Sequence, residues 1–400
     1  MQHDALAPQY VRDFRCTGAK CPDNCCHSWN VAVDPATLQA YRTNPVLIPV
    51  VQDKLIDNRD LSTKDSAPAY IKLDPESGRC TLQEKSGLCT LQKQFGEAAL
   101  CQTCASYPRT PKMLGDDLLV LLSDSCPEVA RQLTHDANAM ELNFGALQLP
   151  DHLAISLEST TDTYPQRHQI LQTLLTILRH RAIPFELRLF ISSLYIQRAQ
   201  TLLYDGGDIS IKELSDLFFS LIEQGYFEQQ AQQLSKKSDG SLGLLILDIL
   251  RKERRSKTAF TEELQSTLEG LGIKDKLPIA SSHIKQLDAA RTQYLDRLEK
   301  KYSHALENLV VNWLLSGLFP IYKKDLNDGW TNIMVRYLLL RTLICGVALK
   351  QKKLDLKDLT RISYRFGRGV SHSAILNKMI LELVGRNLNN TTAFANSLKA

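Results

Sequence analysis

Nine of the ten cysteines lie in the first 126 residues of this 400-residue chain, and only Cys345 lies beyond them. A segment so rich in thiols serves disulfide stapling, metal ligation or redox exchange, and each of these demands a different fold. The start, Met1–Pro8, has no basic opening, no apolar run and no small-residue cleavage site. The expectation is therefore a cytoplasmic, reducing setting, where disulfides are disfavoured and metal ligation leads.

Charge divides with the cysteines. Residues 1–126 hold 13 basic and 15 acidic side chains, for −2, and the other 35 basic and 29 acidic side chains give +6. A total of +4 over 400 residues demands no basic face, so no nucleic-acid partner is expected. The most apolar stretches, Leu309–Phe319 and Tyr337–Leu349, are interrupted by Asn312 or Arg341. They fall short of the ~30 Å of hydrocarbon in a bilayer, so no membrane span is expected.

The first cysteine cluster reads Cys16-x4-Cys21-x3-Cys25-Cys26, with Gly18, Pro22, Asp23 and Asn24 between. These turn formers let the backbone loop around an ion while its N–H groups face the sulfurs. The second cluster is Cys80, Cys89, Cys101 and Cys104, and Cys126 follows. Structural zinc favours close pairs, of which Cys101-x2-Cys104 is one; iron–sulfur clusters accept thiolates at irregular spacing. A radical-type S-adenosylmethionine loop would read C-x3-C-x2-C, but Ser28 occupies the third position after Cys21 and Cys25. His27 is the histidine nearest these motifs and reads as a solvated loop residue.

From about residue 150 the pattern turns helical. Apolar residues recur at three- and four-residue spacing around Ile170–Leu178, and Leu187–Leu203, Leu214–Ile222, Leu242–Leu250, Ile284–Leu318 and Ile333–Leu349 read alike. Gly206-Gly207 and the Lys274–Pro278 segment mark breaks. A Gly-rich phosphate loop or dinucleotide fingerprint does not occur, so a nucleotide-binding fold of that kind has no support. The expected architecture is mainly α: an irregular Cys-rich metal domain over 1–135, then an all-helical domain over 136–400.

Several motifs together resemble the flagellin lysine N-methylase family. They are Tyr10-Val11-x2-Phe14-x-Cys16, Cys21-x3-Cys25-Cys26-x2-Trp29, Gly78-x-Cys80-x-Leu82, Leu88-Cys89-x-Leu91-Gln92, Thr103-Cys104-x2-Tyr107-Pro108-Arg109 and Ser125-Cys126-Pro127-Glu128. The C-terminal half matches more thinly, through Leu318-Phe319-Pro320, Arg336-Tyr337, Arg341 and Ser371-His372-Ser373. The resemblance implies a cytoplasmic enzyme that moves methyl groups from S-adenosylmethionine to ε-amino groups of flagellin lysines, dependent on a [4Fe–4S] cluster. It also implies the metal set Cys16, Cys21, Cys25, Cys26, Cys80, Cys89, Cys104 and Cys126, with Cys101 a bystander. Eight thiols exceed the four of one cluster, so some are structural or a second metal is present.

Around this set, Tyr107 and Arg109 are candidates for the methyl donor, Arg109 by a bidentate grip on its carboxylate. Trp29 and Tyr41 suit either a lysine slot or the core. His372 suits either a base or a capped loop, and Lys252–Arg255 reads as a solvated helix end. The residues themselves leave a second reading open, a non-enzymatic zinc or iron–sulfur module joined to a helical interaction domain.

Overall fold

The computed structural model describes residues 2–27, 29–58, 67–150, 153, 155, 163–234, 240–253, 259–274, 279–323, 325–371 and 375–398. The chain is mainly α-helical and divides into two compact units, Met1–Val129 with Glu141–Leu157, and Ala130–Met140 with Glu158–Ala400.

The first unit holds strands β1 (Gln2–Pro8), β2 (Val31–Val33), β3 (Leu55–Asp57), β4 (Ala69–Ile71), β5 (Arg109–Leu114), β6 (Asp117–Leu122) and β7 (Leu142–Gln148). A four-stranded sheet runs β5-β6-β1-β7 and a three-stranded one β2-β4-β3. β5 and β6 form a hairpin, β1 lies parallel to β6, and β7 pairs antiparallel with β1 from Gln2↔Gln148 to Pro8↔Leu142. Arg12 locks that last pairing, because its guanidinium donates to the carbonyls of Ala5, Asn143 and Ala146 at 3.2, 2.9 and 3.0 Å. Tyr10 is buried, and its hydroxyl both donates to Leu122 O (3.2 Å) and accepts from Leu122 N (2.9 Å). This braces the end of β6, where the turn to Cys126 begins.

In the second unit the helix Leu326–Gln351 is the axis, packed by Ala259–Gly270, Ser241–Glu253 and Phe185–Tyr204. Gly270 and Gly346 set the crossing, since a Cβ on Gly270 would fall 1.9 Å from Gly346 O. This axis is longer than the apolar run read from sequence. It is long and apolar enough to cross a bilayer, yet 83% of its most apolar window is buried within the structure.

The predicted continuous helix over Ile284–Leu318 is instead broken. A π-turn at Arg291–Leu295 follows Ser281–Ala290, and the helix stops at Tyr302 before His304–Ser316 begins. The turn carries Arg291 to Glu186, at 2.7 Å.

Three buried glutamates of this unit are each clamped by two arginines. Glu186 takes Arg341 (2.6 Å) and Arg291 (2.7 Å), Glu307 takes Arg188 (2.6 Å) and Arg181 (2.7 Å), and Glu263 takes Arg361 and Arg365 (2.8 Å). In low dielectric such charges persist only when fully partnered.

Candidate metal centre

Local turns aim the cysteines. At Gly18 the left-handed backbone (φ 55°) points the N–H back at Cys16 Sγ, 3.4 Å away. The Cys21 thiol donates to Asp23 O at 3.4 Å, and Cys26 N–H donates to Asn24 Oδ1 at 3.0 Å. Gly78 and Gly87, at φ 69° and 85°, each stand two residues before a cysteine and turn the chain into Cys80 and Cys89. Cys80 N–H then donates to Cys26 O (2.9 Å), joining the first and second sequence clusters.

Cys89 and Cys101 each sit immediately before a short helix, Thr90–Phe95 and Gln102–Ser106. Asp34 fixes the second of these. One carboxylate oxygen accepts from Thr37 N and the other from Gln102 N, both at 2.9 Å, while Thr103 Oγ1 donates to Ala32 O at 2.7 Å.

The cysteines gather in two groups. Cys80 and Cys101 are buried in the small core around β2 and β4, and Cys26, Cys89 and Cys104 pack against it. Burial raises the Cys80 and Cys89 thiols, and the thiol of Cys25 adds to the rise in both. Its hydrogen bond with Cys25 raises Cys26, helped by burial and by Cys80 and Cys89. A hydrogen bond from Cys104 lowers Cys101, while that same bond and burial raise Cys104.

Cys16, Cys21 and Cys126 form the other group. Burial, with Cys21 and Cys16 adding to the rise, pushes Cys126 up to about 12. Six thiols thus share one patch, and Cys101, which the resemblance set aside, is among its most buried. All ten cysteines stand as thiols. Among the described residues, no three His, Cys, Asp or Glu side chains converge on one coordination point. The donor set nevertheless fits an iron–sulfur or zinc centre. It is all sulfur, and packed thiols that hold their protons against mutual repulsion are relieved by a cation.

A string of polar and aromatic contacts runs from the larger group to the smaller. Trp29 Nε1 donates to Cys25 O, and its ring lies 5.8 Å from that of Tyr107. The Tyr107 hydroxyl meets Ser125 Oγ at 3.2 Å, beside Cys126, and Ser123 N–H donates to Pro108 O at 2.8 Å. Motif segments scattered over a hundred residues of sequence therefore meet in space.

Arg109 stands at the start of β5, with Nη1 3.8 Å from Glu97 Oε1 and 3.5 Å from Ala105 O. Tyr41 is core, with its buried hydroxyl donating to Ala99 O at 2.8 Å. His27 bridges to Arg79 through the backbone. Cys345 is buried on the axial helix of the other unit, and burial pushes it up to about 12. His372 and Arg254–Arg255 lie outside the described residues, whereas Lys252 pairs with Asp248 at 2.6 Å.

Sequence reasoning missed Asp34 and Ser125 as organisers. Ser125 adjoins Cys126 inside a quoted motif, so a signal existed. Asp34 stands ahead of Pro35 in the pattern of a helix cap, and nothing in that pattern marks its second partner, Gln102.

The family model described as the FliB lysine N-methylase C-terminal domain matches residues 172–398. A lysine-N-methylase of Salmonella choleraesuis is 24% identical over 92% of this chain and 92% of its own length, and one of Salmonella typhimurium matches equally. The flagellar biosynthetic protein FliU of Salmonella muenchen is 33% identical over 34% of this chain and 79% of its own. No solved structure matches significantly.

Proposed function

The chain belongs to the FliB lysine N-methylase family, and from that premise we propose that it methylates the ε-amino groups of flagellin lysines, with S-adenosylmethionine as donor and a [4Fe–4S] cluster in its cysteine unit. One observation carries the cluster part of this reading, the gathering of Cys25, Cys26, Cys80, Cys89, Cys101 and Cys104 around one small core. The flagellin part rests on the relative named for flagellar biosynthesis.

Transfer of a methyl group to an amine is a displacement at a sulfonium carbon, and a neutral amine is a competent nucleophile. The protein's work is to strip water and a proton from the lysine and hold it in line with the methyl group. An iron–sulfur cluster held by these cysteines would supply a Lewis acid. Tyr107 and Arg109 are assigned to the donor. The Arg109 ion pair with Glu97 is long, so the guanidinium can turn to a carboxylate, while Ser125 and Trp29 hold the Tyr107 ring.

The test is anaerobic purification followed by incubation with methyl-labelled donor and flagellin. The expected result is label on lysine Nε by mass spectrometry, with iron and sulfide bound to the chain. Methylation by a colourless zinc form removes the iron–sulfur part of the proposal, and the absence of label on flagellin removes the substrate.

A further inference from the structure

One buried arginine holds two walls of a polar cavity in the helical unit. Arg167 is 3% exposed, and its Nη1 donates to Pro320 O at 2.8 Å and to Lys323 O. Its Nη2 donates to the Tyr204 hydroxyl at 2.7 Å. Gly329 completes the approach, because a Cβ there would fall 2.5 Å from the Phe319 ring and 3.3 Å from Lys323 Cγ. The segment from Phe319 to Lys323 can therefore lie on the first turn of the helix Leu326–Gln351. Gln200 fixes another wall, since its Nε2 donates to Asp325 Oδ2 (3.1 Å) and its Oε1 accepts from Leu326 N (2.8 Å).

The cavity measures about 700 Å³, and Gln200, Tyr204, Lys323, Asp325, Asp328 and Asn332 are among its lining residues. That volume lies within the range of small-molecule sites, about 300–1,000 Å³. Asp325 is occupied, taking Gln200 on one oxygen and the Asp328 N–H on the other at 2.9 Å. The Asp328 carboxylate accepts no hydrogen bond and enters no ion pair among the described residues, and burial, then Asp325, raises it. Lys323 makes no ion pair among the described residues either. Asn332 Oδ1 accepts from Arg336 Nε at 3.0 Å, which leaves the amide N–H groups of Asn332 as donors. A cation, an anion and an amide donor thus line one cavity without pairing with one another.

We propose that this cavity binds the head group of an α-amino acid, its carboxylate on Lys323 and Asn332 and its ammonium on Asp328. Charge selects this class. A phosphate would meet Asp325 and Asp328, and an amine alone would leave Lys323 unanswered. A divalent cation would need several oxygens on one point with no ammonium group beside them. A zwitterion satisfies both charges at once, through charge-assisted hydrogen bonds. Tyr204 and Ile380 line the same space and suit the side chain of the ligand. Two ligands share this chemistry, a free amino acid and the methionyl end of a methyl donor. The cavity lies wholly in the helical unit, whereas Tyr107 and Arg109 belong to the other.

The experiment is calorimetric titration of the full chain with L-methionine and with S-adenosylhomocysteine, which has no methyl group to give up. Methioninol, which lacks the carboxylate, and N-acetylmethionine, which lacks the ammonium, should each bind about tenfold or more weaker than L-methionine. Lys323→Gln should weaken L-methionine and leave methioninol unchanged. Asp328→Asn should weaken L-methionine and leave N-acetylmethionine unchanged, with the Tm of both variants at the wild-type level. L-methionine binding as tightly as S-adenosylhomocysteine supports a free amino acid as the source. Much tighter S-adenosylhomocysteine binding that Lys323→Gln weakens and Arg109→Gln does not supports the methyl donor, and takes that donor from Arg109. If neither compound binds the wild type at millimolar concentration, the proposal falls. It falls equally if both head-group analogues bind as L-methionine does, or if neither variant loses affinity. None of these results removes the methylation reading.

Discussion

The two units bury ionisable groups on opposite terms. The helical unit pairs three of its buried carboxylates, since Glu186, Glu263 and Glu307 each lie between two arginines of the same unit, while Glu299 keeps its proton. In the cysteine unit the six gathered thiols act on one another, and burial together with that company shifts five of them. A buried carboxylate between two arginines is architecture, whereas a patch of thiols that shift one another suits a cation taken up from outside.

That contrast breaks most readily by removing metal. Exhaustive chelation under reducing conditions should abolish the cooperative melting of the cysteine unit and leave the transition of the helical unit in place. Metal-binding free energy is folding free energy, about 10–16 kcal/mol for compact thiolate sites. Two transitions that both survive chelation would overturn the distinction.

Single thiols sharpen it. Cys101→Ser should deplete iron as Cys80→Ser and Cys104→Ser do, since Cys101 is buried against Cys104 in the same patch. Cys345→Ser, in the other unit, should leave iron untouched. Metal analysis decides, and full iron in the Cys101 variant would restore that residue to the bystander role the resemblance implies.

On the helical side, Glu307→Gln strands Arg188 and Arg181. Breaking a buried pair from one side costs about 3–5 kcal/mol, read as a shifted urea midpoint with unchanged iron. A cost below about 1 kcal/mol would mean that the arginines find water and that the clamp is surface-like.

A pH-dependent effect concerns Glu299, where burial, then Glu186, lifts the carboxyl from 4.5 to about 8. One of its oxygens is buried with no hydrogen-bond partner among the described residues. The folded state holds this proton more tightly than the unfolded chain does. Stability is therefore highest below 4.5, falls as pH rises from 4.5 to about 8, and levels above that. Glu299→Gln should flatten this stretch and be the more stable form at pH 9. Parallel curves for variant and wild type would show that Glu299 titrates normally.

Legibility in the sequence followed the range of the interactions. Helices such as Phe185–Tyr204 and Ile211–Glu223 were readable because their periodicity is local, and the helical class followed. The sheets were not. β2, β3 and β4 have three residues each, too few for alternation to register, and β1 finds its partners more than a hundred residues away. Arg291 reads as one more polar residue on an amphipathic helix, and only the π-turn turns it inward to Glu186. At the candidate centre the cysteine count was plain. The place of Cys101 beside Cys104 was not, because it depends on Asp34 anchoring a five-residue helix from sixty-eight residues upstream.

β7 also sets an order of events during synthesis. The first strand made, β1, waits for Leu142–Gln148 before its second edge is covered. By then Cys16 to Cys126 have all been translated, and the 22 residues from Cys126 to Gln148 take about 1–4 s at ordinary elongation rates. In that interval one flank of the sheet has no partner, although every cysteine of the unit has already been joined to the chain.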